Sequence, residues 1–188
     1  MKNIISILIL LIISLAGCKS PEARKPVTQS SGTFINESIE RNRLLVAREE
    51  AEILEIIEKD TTQNYLASNS GFWYYYNNRS TDSTNTETPD FGDVVQFDYD
   101  IRELDGDIIY AEGEIPTRQY AVDKEDLFNG LREGLKLMKE GEEVTFIFPS
   151  HKAFGYYGDK NKIGTNVPII THVKLHSIIN ESNPNPKN

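Results

Sequence analysis

The sequence predicts an α+β domain, an antiparallel sheet wrapped round a short helix, with a helical arm in front of it. Two observations carry that prediction. Asp93 to Arg102 alternates strictly, with Val95, Phe97, Tyr99 and Ile101 on one parity and Gln96, Asp98, Asp100 and Arg102 on the other. The strand-like runs around it follow one another through turns, and only one short amphipathic stretch, "DLFNGLREGLKLMKEGE", interrupts them, so no doubly wound βαβ series is expected. The 188 residues suffice for one domain and an appendage.

The chain divides by composition. Residues 1–17 read as a lipoprotein signal peptide: Lys2 is the basic start, and Ile4 to Ile13 is apolar except for Ser6. That run falls short of the roughly 20 residues a membrane span needs. Leu15-Ala16-Gly17-Cys18 resembles the bacterial lipobox, which implies cleavage before Cys18 and lipidation of its thiol. Residues 18–34 form a polar tether containing Pro21 and Pro26. Residues 35–68 are a helical arm whose helix, Asn36–Lys59, is capped by Asn36. Ile39, Ala47, Ala51, Leu54 and Ile57 supply its apolar stripe, widened by Leu44, Leu45, Ile53 and Ile56. This arm docks on its own domain, or contacts a partner or a second copy. Residues 69–181 are the domain, and 182–188 a disordered tail.

Within the domain, "FWYYY" (Phe72 to Tyr76) is a strand with one face in the core, in preference to a stacking platform for sugars or bases. Asp105-Gly106 makes a hairpin turn, Ile108 to Ala111 returns, and Gln119 to Val122 adds a short strand. The amphipathic stretch places Leu127, Phe128, Leu131, Leu135 and Met138 on one face. Its Gly130 and Gly134 lie one turn apart, which predicts close backbone packing. Gly141 stops the helix, and Glu142 to Phe148 and Ile169 to Ile178 are the last strands, with Ile169, Thr171, Val173 and Leu175 inward.

Several chemistries are disfavoured. The net charge of −9 argues against nucleic acid as a partner. Cys18 is the single cysteine, so the mature chain has no internal disulfide and no cysteine metal cluster. His172 and His176, four apart on a strand, stand about 13 Å from one another and cannot share a metal. Asp98 and Asp100 read as outward carboxylates. "HKAFGYYGDKNKIGTNVPI" (His151 to Ile169) has three glycines but neither a following helix nor a Walker lysine. No cofactor is expected; an apolar, aromatic site remains.

"GDVVQFDYDIRELDGDIIYAEGE", "NGLREGLKLMKEGEEVTFIFPSHKAFGYYG" and "IGTNVPIITHVKLHSI" resemble, in order and spacing, the FKBP-type peptidyl-prolyl cis-trans isomerases. With the lipobox and arm, the chain also resembles the lipid-anchored, gliding-motility-associated members from Bacteroidetes-type bacteria. The resemblance implies a proline pocket built from Tyr99, Ile109, Leu127, Phe128, Leu131, Phe154 and Ile163, with Tyr120 on the neighbouring strand. It implies proline-containing polypeptides as clients and a lipid-anchored place in the cell envelope. Lys19 after Cys18 favours the outer membrane, facing the periplasm. Tyr110 stands where the family has a pocket aspartate, Gly164-Thr165 where it has two prolines, and Thr171 where it has a buried phenylalanine. Three functions fit: an isomerase assisting exported proteins, an isomerase-like binding or chaperone module, and a structural lipoprotein of a gliding or secretion assembly.

Overall fold

The computed structural model describes residues 31–81 and 87–179. The signal peptide, Cys18, most of the tether and the tail 182–188 lie outside the described residues. Among the described residues, 31–38 and 39–179 fall in two separate units.

Helix α1 runs Ser31–Lys59. It starts five residues before Asn36, which therefore lies within the helix and does not cap it; residues 31–34, expected in the tether, are helical. The helix buries only part of the expected stripe, Leu45, Ile53, Ile56 and Ile57, and the buried line is shifted from it. Ile53 is fully buried, and Leu45, Val46, Ile56 and Ile57 are half-buried. Ile39, Leu44, Ala47, Ala51 and Leu54 are exposed. The buried line runs through Glu49, which an apolar pattern cannot reveal. Both Glu49 carboxylate oxygens accept from Ser150, one from the backbone N–H and one from Oγ, each at 2.8 Å. This docks the helix on its own domain.

The strands are β1 (Leu66–Ala67), β2 (Trp73–Asn78), β3 (Val94–Tyr99), β4 (Ile101–Arg102), β5 (Ile108–Tyr110), β6 (Arg118–Ala121), β7 (Glu143–Phe148) and β8 (Ile169–Ile179). All the strand pairs are antiparallel, in the order β1-β2-β7-β8-β3-β6, with β4 joining β5 to the start of β8. Alternation predicted the inward faces well. Val95, Phe97, Tyr99 and Ile101 are buried, as are Ile169, Thr171, Val173 and Leu175. In the aromatic run, Phe72, Tyr74 and Tyr76 pack on the core, whereas Tyr75 meets Tyr65 edge-on at 4.9 Å outside it.

Asp100 departs from its parity. It sits between β3 and β4, only 4% exposed. Its Oδ1 accepts the His172 N–H at 2.8 Å and its Oδ2 accepts from Arg102 at 2.6 Å, so the buried carboxylate is paired. His172 and His176 are half-buried on the outward parity, each beside its own carboxylate: Glu143 at 3.8 Å and Asp98 at 2.7 Å.

Helix α2 covers only Asn129–Leu135. The amphipathic stretch around it continues as tighter turns, with Leu137 N–H bonded to the Gly134 carbonyl and Met138 N–H to that of Leu135. Met138 is nevertheless fully buried, so the apolar pattern outruns the helix. The two glycines let α2 lie directly on β7. A Cβ on Gly130 would stand 2.5 Å from the Phe148 ring, and one on Gly134 would stand 2.9 Å from that of Phe146.

Candidate functional site

β3, β5, α2 and the β7–β8 connection place the seven expected pocket residues around a single apolar cluster. Tyr99 at the end of β3, Leu131 in α2 and Ile163 in the connection belong to its buried part. Ile109, Leu127, Phe128 and Phe154 pack against it while remaining half-buried. Tyr120, on β6, is fully buried, and its hydroxyl accepts the Asp123 N–H at 3.1 Å.

Leu127 and Phe128 precede α2. The extended backbone of Phe128 turns its ring to meet Phe154 at 4.9 Å and Phe148 at 5.6 Å, giving an aromatic wall on the edge of the core. Half-burial separates Phe128 and Phe154 from ordinary core residues, because each keeps apolar surface available to a ligand.

The β7–β8 connection is a structured flap. Two 3₁₀ turns, Ser150–Lys152 and Gly155–Tyr157, flank Phe154. The Gly155 carbonyl accepts the Asn166 N–H at 2.9 Å and crosses the flap. Gly158 has φ +60°, and a Cβ there would lie 2.1 Å from the Ile163 carbonyl oxygen. Tyr156 and Tyr157 project outward, 70% and 80% exposed.

A polar group absent from the sequence reading joins the flap to β5. Tyr110 donates to Asp159 Oδ2 and accepts from Asn161 Nδ2 at 2.9 Å. Asp159 Oδ1 accepts the N–H groups of Asn161 and Ile163, both at 2.8 Å. Lys162 pairs with Glu114, donates to the Ile109 carbonyl at 3.1 Å, and lies 4.6 Å from the centre of the Tyr110 ring. Burial pushes the Asp159 carboxyl up, but the Tyr110 hydroxyl and the backbone N–H groups outweigh it and hold it below the usual range. Burial, then the bond to Asp159, raise the Tyr110 phenol. The polar run Asp159-Lys-Asn-Lys162 was the available sequence signal, but nothing local connects it to Tyr110.

Two of the departures from the resembled family have local partners. Tyr110 meets a carboxylate supplied by the flap. Thr171 is fully buried and donates to the Asp100 carbonyl. A surface groove of about 190 Å³ lined by Glu52, Glu103, Leu104, Asp105, Val167 and Pro168 contains none of the seven residues.

Comparison with known proteins bears on the fold and on the resemblance, not on the individual side chains. A curated protein of Neisseria meningitidis serogroup B, described as a probable FKBP-type peptidyl-prolyl cis-trans isomerase FkpA, is 32% identical over 90 residues, covering 48% of this chain and 33% of that protein. The match therefore spans about a third of the length of that relative. The fold is similar to the crystal structure of a peptidyl-prolyl cis-trans isomerase from Pseudomonas syringae pv. tomato, with TM-score 0.56, 20% identity and coverage of 70% of this chain and 93% of that one. It is also similar to the crystal structure of FkpA from Escherichia coli, with TM-score 0.57, 18% identity and coverage of 92% and 81%. The family model for FKBP-type peptidyl-prolyl cis-trans isomerase matches residues 85–176, which hold every one of the expected pocket residues.

Proposed function

We propose that this protein is a peptidyl-prolyl cis-trans isomerase whose site is the half-open wall of Phe128 and Phe154, with Tyr99, Ile109, Leu127, Leu131 and Ile163 around it. The observation that carries the reading is that contact of two partly exposed rings on a buried apolar floor. Rotation about an X-Pro bond breaks amide resonance, with a barrier of about 18–20 kcal/mol. The twisted amide is less polar than the planar one, so a dry aromatic surface favours it over the hydrated ground state. Positioning and desolvation are what these side chains supply.

The clients are proline-containing polypeptides exported from the cytoplasm, among them those of a gliding or secretion machinery. Cys18 carries the lipid that anchors the protein in the outer membrane, facing the periplasm, and the arm serves dimer or partner contacts. The signal sequence, the lipobox and Lys19 support this location. A binding or chaperone module with little turnover is the second reading; it is favoured by Phe154, which presents no hydroxyl to the site.

The deciding experiment follows isomerisation of a proline peptide, and proline-limited refolding of a substrate protein, with and without this protein. Acceleration supports the enzyme; binding of the peptide without acceleration supports the second reading. Phe154→Ala should weaken peptide binding about tenfold, more than it lowers stability. Cys18→Ser should release the protein from the membrane fraction.

A further inference from the structure

The tyrosine at position 110 is the sharpest departure from the resembled family at this site, and its surroundings show what it does. We propose that Tyr110 is a positioning residue: its hydroxyl, acting through Asp159, fixes the backbone of Ile163 and so holds the flap wall where it receives the proline ring. The proposal rests on the isomerase reading.

Both backbone groups of Ile163 pair with Asp159. The Ile163 N–H donates to Oδ1 at 2.8 Å, and its carbonyl accepts the Asp159 N–H at 3.2 Å. The segment from Asp159 to Ile163 is therefore a closed loop. Asp159 Oδ2 ties it to β5 by accepting from Tyr110. Asn161 returns a bond to the same hydroxyl at 2.9 Å, so that hydroxyl is used once as donor and once as acceptor. Lys162 makes a parallel tie to the Ile109 carbonyl and to Glu114.

This chemistry requires a tyrosine. An aspartate at 110 would face the Asp159 carboxylate, and like charges disfavour one another there. A phenylalanine would keep the ring beside Lys162 but lose both hydrogen bonds.

The test compares the protein with its Tyr110→Phe, Asp159→Asn and doubly substituted variants, by proline-peptide isomerisation and by amide hydrogen exchange. Tyr110→Phe should lower kcat/KM about tenfold, the scale of a hydrogen bond to a charged group. The loss should lie in KM, because the wall touches the proline ring in ground and transition states alike. The Ile163 amide should exchange about tenfold faster while β7 and β8 keep their protection. The double variant should be no worse than the poorer single one, because the two residues act in one chain of contacts. Asp159→Asn retains an oxygen for the Ile163 N–H and provides a second, milder perturbation. A kcat/KM for Tyr110→Phe within about twofold of the parent, a loss confined to kcat, or faster exchange shared by β7 and β8 would overturn the proposal. If the parent protein shows no isomerisation, the enzyme reading alone fails. The exchange rate of the Ile163 amide then decides whether Tyr110 sets the wall: faster exchange supports it, unchanged exchange overturns it.

Discussion

The flap between β7 and β8 is held at both ends by a carboxylate, in opposite circumstances. At its root, Glu49 is 2% exposed, comes from a helix 101 residues earlier in the chain, and gives both oxygens to Ser150. At its far end, Asp159 is half-buried, belongs to the flap itself, and divides its oxygens between local N–H groups and Tyr110. A buried acceptor given wholly to Ser150 in its hydrogen bonds fixes where the flap leaves the sheet, and its removal strands Ser150. A partly exposed acceptor shared among several donors fixes the course of the flap from Asp159 to Ile163. On the proposed function, the root belongs to stability and the far end to the site.

The largest effect that would test this division is at the root. Glu49→Ala leaves the buried Ser150 N–H without its acceptor and should cost about 3 kcal/mol in urea unfolding, with peptide affinity of the folded fraction little changed. A loss of affinity at unchanged stability would reverse the assignment. Next is Gly158→Ala, which would force a Cβ against the Ile163 carbonyl in a backbone region that excludes side chains. We expect about 2 kcal/mol of local strain, read as lost peptide binding and faster exchange across 158–164, with the sheet amides unaffected. Disturbance reaching β3 would show that the far end also supports the core.

The smallest effect is with pH. The Asp159 pKa is depressed on folding, so its contribution is present above the unfolded value of about 4 and is lost as pH falls through the folded value. The Tyr110 pKa is raised, so its contribution is present below about pH 10 and is lost as pH rises through the folded value. Glu114, which Lys162 holds below the usual carboxyl range, faces the same group and follows the sign of Asp159. Protection of the Ile163 amide, corrected for intrinsic exchange, should be flat between about pH 4 and 10 and fall outside that window. A midpoint near pH 7 would point to a different group.

The sheet was legible in the sequence because a period of two marks inward residues wherever one face is buried, as Val95, Phe97, Tyr99 and Ile101 show. Gly130 and Gly134 announced close packing correctly, since their cost within a helix calls for a compensating contact, and Phe148 and Phe146 provide it. The reading of α1 failed where a charged residue took a buried position: a stripe built on apolar residues passes over Glu49. Asp100 escaped for the same reason: besides its neighbour Arg102, its partner His172 becomes visible only when β8 lies beside β3 and β4. The pocket residues followed from a resemblance, whereas the tie from Tyr110 to Asp159 spans 49 residues and has no local pattern to betray it.

The strand order carries a consequence for synthesis. β2 lies between β1 and β7, and Tyr75 is paired with Thr145, about seventy residues further along the chain. As the nascent chain emerges, the aromatic run from Phe72 to Tyr76 has only the two-residue β1 beside it until β7 appears. Until then it is an unsatisfied, adhesive strand edge, the kind of segment that aggregates or recruits chaperones. By this topology, a protein proposed to assist the folding of others carries a stretch of its own that stays open to unwanted pairing until β7 is made.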